Sequence, residues 1–146
     1  MLSHQELSDR AEIQDLITRY AYAIDDRDWD ALDNVFTADA IIDYSEAGGA
    51  RGTVAEIKEY LAGAMARFPA FQHLSTTTRL QIDGDRAKAR TILFNPMVME
   101  HEGQERVFFV GLWYNDELVR TLDGWRIAHR YEQMSWTYNT PPGMMP

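Results

Sequence analysis

Apolar residues recur at helical spacing through the first part of the chain. Ser3 and Glu6 have the spacing of a capping box, which predicts that a helix begins there. The apolar positions on one face of this helix are Ile13, Leu16, Ile17, Tyr20, Ala21 and Ile24. The pattern predicts an amphipathic helix that runs to about Asp25.

Two further helices are predicted before the middle of the chain. Asp28 is a plausible N-cap for a second, short helix that carries Trp29 and Leu32 on its apolar side. Thr53 and Glu56 form another capping box, so a third helix begins there, and Phe68-Pro69 ends it. Between the second and third helices, residues 40–44 have the composition of a short strand.

From residue 73 onwards the chain is rich in Thr, Val, Ile and aromatic residues, which favour β-strands. Turn sequences such as Asp83-Gly84-Asp85 separate four predicted strands: 73–82, 87–99, 106–120 and 125–138. Strands this long must twist and bend, and Pro96 and Gly111 are candidate positions for bulges or bends.

The order of elements predicts an α+β fold in which three N-terminal helices pack on a strongly curved, mostly antiparallel sheet. Such a sheet, closed by helices, forms a cone with an internal pocket. We expect one domain over residues 1–146, with an irregular tail from about residue 139.

Composition excludes several classes of function. The chain of 146 residues has a net charge of -9 and no basic run, which argues against nucleic-acid binding. It has no cysteine, so disulfides and thiolate metal sites are excluded. No apolar stretch reaches the roughly 20 residues of a membrane span, and no signal-peptide pattern opens the chain, so we expect a cytoplasmic protein. The histidines lack metal-ligand spacing, and we expect neither a metal nor a cofactor.

The candidate chemistry centres on Asp25 and His73. A carboxylate that orients an imidazole inside a cavity is suited to proton abstraction. Asp25 lies at the edge of the apolar face of the first helix, whereas Asp26 is turned to the opposite side. The alternatives are a strand histidine that bonds a neighbour and an aspartate that bonds backbone or solvent.

Several of these residues match a known family in order and spacing. The matching stretches are Ile13–Leu16 with Arg19-Tyr20, Asp25 with Asp28-Trp29, Phe36–Ala40, His73, Asp83–Asp85 with Ala87, and Leu122–Ile127. The chain resembles the nuclear transport factor 2-like superfamily, and within its polyketide-cyclase-like branch it is similar to the scytalone dehydratase and hexachlorocyclohexane dehydrochlorinase families. The resemblance covers nearly the whole chain.

The resemblance implies a dyad of His73 and Asp25 that abstracts a proton. It also implies that Tyr44 polarises a departing oxygen through water, and that Arg130 lies near an arginine that holds a leaving group. Tyr20 and Tyr44 could bind a substrate oxygen or only fill the core, and Arg130 could instead form a salt bridge on the sheet surface. The dehydratase family has a second pocket histidine on a late strand, and the dehydrochlorinase family has a lysine on the first helix. This chain has a counterpart of neither residue, so neither specific activity is expected here.

The resulting prediction is a cofactor-independent lyase or isomerase that acts on a small apolar, cyclic or aromatic oxygenated molecule. The alternatives are a non-catalytic protein that binds a small ligand and an accessory subunit of an oxygenase. The strand around Phe108 and Phe109 is apolar on both faces, and this predicts a homodimer or homotrimer.

Overall fold

The computed structural model describes residues 1–144. The helical elements are α1 (His4–Asp25), a 3-10 helix (Trp29–Asn34), a short 3-10 turn (Ser45–Ala47) and α2 (Val54–Met65). The strands are β1 (Phe36–Asp43), β2 (Arg51–Thr53), β3 (Ala70–Phe71), β4 (Leu74–Asp83), β5 (Arg86–His101), β6 (Gln104–Thr121) and β7 (Gly124–Tyr138).

Each predicted helix begins at its predicted cap. The Ser3 and Thr53 capping boxes are both formed, and the Asp28 side chain accepts a bond from the Ala31 backbone N–H. The second helix is a 3-10 helix of six residues. Helix α1 ends because Arg27 adopts a left-handed backbone conformation, with φ of 56°.

The strands form one mixed, curved sheet in the order β2-β1-β7-β6-β5-β3, with β4 also paired to β5. Only the β1–β7 pair among the described strands is parallel. The sheet is not closed, and the three helices cover its concave face. The predicted α+β class and the mostly antiparallel sheet are therefore confirmed.

The first long strand begins one residue later than predicted. Strand β4 starts at Leu74, which pairs with Phe94, and the backbone N–H of His73 donates to the Asp25 carboxylate. His73 therefore lies just before the sheet, at the end of helix α1.

Two bulges shape the pairing of β6 with β7. The β6–β7 register shifts after Gly111, as predicted, and the Trp136 indole lies so close to Gly111 that a Cβ there would clash. A second shift inserts Ala128 into β7, which was not predicted. Pro96 marks no shift, because the β5–β6 register runs through it without interruption.

A network around Asp9 anchors helix α1 to the sheet. The buried Asp9 carboxylate accepts two bonds from the Arg120 guanidinium, at 2.6 and 2.9 Å, and one from the Trp125 indole at 3.1 Å. Glu12 accepts a bond from the Trp125 backbone. One turn of the helix is thereby tied to the hairpin between β6 and β7.

The segment after β7 is irregular as predicted, but it is partly packed. Pro141 is buried and Met144 contacts the core, while the last two residues of the predicted tail lie outside the described residues. Among residues 1–144, no helix combines the length and the apolar character that crossing a membrane requires.

We expect Asp9→Asn to destabilise the protein by about 2–4 kcal/mol at pH 7, because it removes one partner of a buried charge pair. The Arg120 guanidinium holds the pKa of Asp9 well below its usual range. This contribution is therefore fully present above about pH 4 and decreases as the pH falls towards the folded-state pKa. Urea unfolding at pH 7 and pH 3.5 measures both effects.

Asp85→Asn is the matched control. Asp85 also bonds Arg120, but its side chain is 81% exposed. We expect it to change the unfolding free energy by less than about 1 kcal/mol. Equal effects of the two substitutions would contradict the anchoring role of Asp9.

Candidate active site

Helix α1 and the start of β4 bring His73 and Asp25 into contact. The Nδ1 atom of His73 lies 2.7 Å from Oδ1 of Asp25, and the His73 backbone N–H donates to both carboxylate oxygens at 3.0–3.1 Å. The His73 side chain is 8% exposed and that of Asp25 is 23% exposed. The predicted contact is present, and the carboxylate fixes both the ring and the backbone of the histidine.

Neighbouring groups hold this pair in place. The Arg27 guanidinium donates to the carbonyl oxygens of Met65 and Phe68, at 2.7 and 2.6 Å, and so joins the end of α1 to the end of α2. The Phe71 ring lies under Arg27 and meets the His73 ring edge to face, at 5.7 Å. Sequence reasoning did not identify Arg27, because its partners are backbone carbonyls 38 and 41 residues away.

His73 lines a cavity of about 130 Å³ between the helices and the concave face of the sheet. Most of the lining is apolar, with residues such as Leu93, Phe108 and Leu112 on the sheet side. Met144 from the C-terminal segment contributes to the wall. Besides His73, the polar side chains in the lining are Tyr20, Tyr44, Tyr60, Arg67, Asn95 and Glu132. A cavity of roughly 150 Å³ accommodates benzene, so the space here suits a single small ring.

Tyr20 and Tyr44 both reach this cavity, and their hydroxyl oxygens lie 2.5 Å apart. Burial raises the pKa of both phenols, so each hydroxyl stays protonated at neutral pH. One of the two hydroxyls donates to the other, which leaves the second hydroxyl proton available. The pair can therefore donate a hydrogen bond to an oxygen in the cavity.

Arg130 does not lie on the sheet surface, and it is not part of the cavity lining. Its side chain is fully buried and forms a bidentate pair with Asp116, at 2.7 and 2.8 Å. The guanidinium lies between the Tyr20 and Tyr114 rings, about 4 Å from each centroid. The Arg130 guanidinium packs against the Tyr20 ring, which does line the cavity.

Glu132 is a polar residue of the cavity that the sequence reasoning missed. It is 9% exposed, and burial raises its pKa to about 8, despite the opposing effect of nearby Arg130. Trp125 and Ile127 face the core, so strict alternation along β7 would turn Glu132 outward. The extra residue Ala128 reverses that alternation and turns Glu132 inward.

Comparison with known proteins gives the family. The model of the SnoaL-like domain matches residues 5–131, so the chain belongs to the SnoaL-like domain family. An uncharacterized protein of Mycobacterium tuberculosis is 49% identical over 132 residues, which cover 90% of this chain and 89% of the relative.

Solved structures agree with this assignment. A protein of Novosphingobium aromaticivorans, provisionally named an aromatic ring hydroxylase, has 30% identity and a TM-score of 0.78, with 92% of each chain covered. A provisionally named scytalone dehydratase from the same organism has 18% identity and a TM-score of 0.80, covering 92% of this chain and 89% of its own. A hexachlorocyclohexane dehydrochlorinase has 20% identity and a TM-score of 0.76, covering 94% and 96%. The last two similarities establish the fold alone.

We expect Asp116→Asn to destabilise the protein by about 3–5 kcal/mol, because Arg130 would remain as a buried charge without a partner. Glu117→Gln, at the adjacent exposed position, should change stability by less than about 0.5 kcal/mol. Urea unfolding of both variants checks this. A small effect of Asp116→Asn would show that the pair is not an essential support for the tyrosines.

Proposed function

We propose that this protein is a cofactor-independent lyase or isomerase in which His73 is the general base. The observation that carries the proposal is the 2.7 Å contact between His73 Nδ1 and the Asp25 carboxylate at the wall of an apolar cavity. The names of structurally similar proteins, a dehydratase and a dehydrochlorinase, are consistent with proton abstraction from carbon.

The geometry assigns a role to each nitrogen of the His73 ring. Because Nδ1 faces the Asp25 carboxylate, the neutral ring keeps its proton there, and Nε2 is left as the basic atom. Within residues 1–144, Nε2 has no hydrogen-bond partner. Asp25 then stabilises the imidazolium that forms when Nε2 takes a proton from the substrate. General bases of this kind contribute about 10²–10⁴-fold to rate.

The remaining cavity groups suit a small, neutral oxygenated ring. The apolar walls bury a carbon skeleton, and the hydroxyl pair of Tyr20 and Tyr44 offers a hydrogen bond to its oxygen. This donor would stabilise negative charge that develops on the oxygen while His73 removes a neighbouring proton. The accessory-subunit alternative predicts a filled cone and a large exposed apolar patch. The open cavity counts against that alternative, whereas the exposed aromatic side chains Phe94, Trp136 and Tyr138 agree with it.

The test measures exchange of carbon-bound hydrogen with solvent deuterium, because this detects proton abstraction without knowledge of the natural substrate. Small cyclic ketones, such as cyclohexanone and 3-hydroxycyclohexanone, serve as probes in D₂O followed by NMR. We expect the protein to accelerate exchange or elimination in one of them. His73→Ala should reduce the rate to background, and Asp25→Asn should lower it by about 100-fold or more through the wrong ring tautomer.

His101→Ala is the matched control, since His101 lies at the far end of β5 and does not line the cavity. It should retain the full rate, and circular dichroism checks that all variants are folded. Full activity of His73→Ala would refute the catalytic role. Binding of the probes without any His73-dependent chemistry would favour the alternative of a non-catalytic binding protein.

We also propose that the protein assembles with copies of itself through the convex face of the sheet. Aromatic side chains from three adjacent strands form a continuous patch there: Phe94 stacks on Phe109 at 5.7 Å and lies 6.0 Å from Trp136, and Phe109 meets Tyr138 at 6.4 Å. Phe94, Trp136 and Tyr138 are 38–68% exposed. The helices cover only the opposite face of the sheet. We therefore propose that the same sheet of a second copy packs against this patch.

Light scattering at micromolar concentration should therefore report a dimer or trimer. Phe94→Glu places a charge in the patch and should shift the protein towards monomer, whereas Leu122→Glu, at an exposed turn, should not. A monomeric native protein would contradict this assembly.

A further inference from the structure

Glu132 is a buried acid to which the proposed reaction assigns no role. It is 9% exposed and lines the same cavity as His73, and no hydrogen bond to its carboxyl oxygens is found among residues 1–144. Buried carboxyl groups are normally paired or hydrogen-bonded, because desolvation of an unpaired charge is costly. The Glu132 oxygens are reached from the cavity, so a ligand bound there can supply the hydrogen bond that the protein does not.

Glu132 and His73 lie at opposite sides of the cavity. Glu132 pairs with Tyr114 in β6, Tyr114 pairs with Thr91 in β5, and His73 directly precedes β4, which pairs with the other edge of β5. Three strand spacings of about 4.8 Å separate the two residues, and they are also offset along the strands, because the residue of β4 in register with Glu132 is Thr78, five positions after His73. The two side chains do not bond each other, and a ligand that fills the cavity can contact both.

The surroundings of Glu132 favour the neutral carboxylic acid. Glu132 interacts electrostatically with titratable groups on the neighbouring elements. These groups are Arg130 on the same strand, Asp43 on β1, Tyr20 on α1, Tyr44 after β1, Tyr60 on α2 and Tyr114 on β6. Arg130 is already neutralised by Asp116, and it does not bond Glu132. Burial therefore determines the state of the acid and raises its pKa to about 8.

We propose that Glu132, as a neutral carboxylic acid, donates the proton or hydrogen bond that holds the substrate oxygen, opposite the carbon that His73 deprotonates. This inference depends on the proposed function and narrows it. The substrate of this proposal is a neutral cyclic alcohol or ketone whose oxygen accepts the hydrogen bond from Glu132.

For an elimination, the step balances as follows. His73 Nε2 takes a proton from carbon, the released electron pair forms the C=C bond, and the C–O bond at the adjacent carbon breaks. The departing oxygen takes the Glu132 proton and leaves as water. Glu132 is then a carboxylate and His73 an imidazolium, and one proton returned from His73 to Glu132 through the released water restores both groups.

The test measures binding of cyclohexanone, which accepts a hydrogen bond and does not ionise in the working range. Calorimetry or ligand-observed NMR gives its affinity at pH 6.5 and pH 9.5. We expect the native protein to bind cyclohexanone about tenfold more weakly at pH 9.5. The ionised Glu132 carboxylate no longer donates a hydrogen bond, so the carbonyl oxygen of the probe is left beside an anion without a donor. Glu132→Gln keeps a neutral donor, so its affinity should be the same at both pH values.

Glu105→Gln, at an exposed position of β6, is the matched control and should keep the tenfold loss. Glu132→Ala should bind weakly at both pH values. Affinity that does not change with pH in the native protein, or a full pH dependence that persists in Glu132→Gln, would overturn the role of Glu132. These outcomes differ from failure of the general-base proposal, which the His73-dependent deuterium exchange measures separately.

Discussion

The Asp25 carboxylate is the point at which the helical layer and the sheet are joined at the site. It lies at the end of α1 and accepts three contacts from His73, two from the backbone N–H and one from the ring. The neighbouring Gln72 N–H donates to Pro96 of β5, so the His73 N–H points to the opposite edge, where Asp25 accepts it. The same carboxylate thus sets the position of the histidine and the orientation of its ring.

The bulge at Ala128 gives the cavity its polar side. It turns Arg130 and Glu132 towards the interior, where the core otherwise contains apolar and aromatic side chains. Arg130 donates hydrogen bonds to Asp116 from Nε and Nη2, and its Nη1 atom remains without a partner. The stacked guanidinium then supports the Tyr20 ring, whose hydroxyl meets Tyr44 in the cavity. A buried charge and a hydroxyl pair are therefore placed by a single inserted residue.

Much of this structure could be predicted from local patterns. Capping boxes at Ser3 and Thr53 located two helices, and the family resemblance directed attention to His73 and Asp25, which do meet. Bulges are harder, because an inserted residue changes which side of a strand faces inward without a clear mark in the sequence. For that reason the surface position considered for Arg130 is wrong, and Glu132 was not identified. Met144 was missed because it reaches the cavity from a segment without regular structure.

The most direct test of the central proposal is the tautomer of His73, read from ¹⁵N NMR of the neutral imidazole at alkaline pH. The proposal predicts a protonated Nδ1, shared with Asp25, and an unprotonated Nε2 that faces the cavity. An Nε2-protonated ring would contradict it, because the histidine would then have no basic nitrogen available for the substrate.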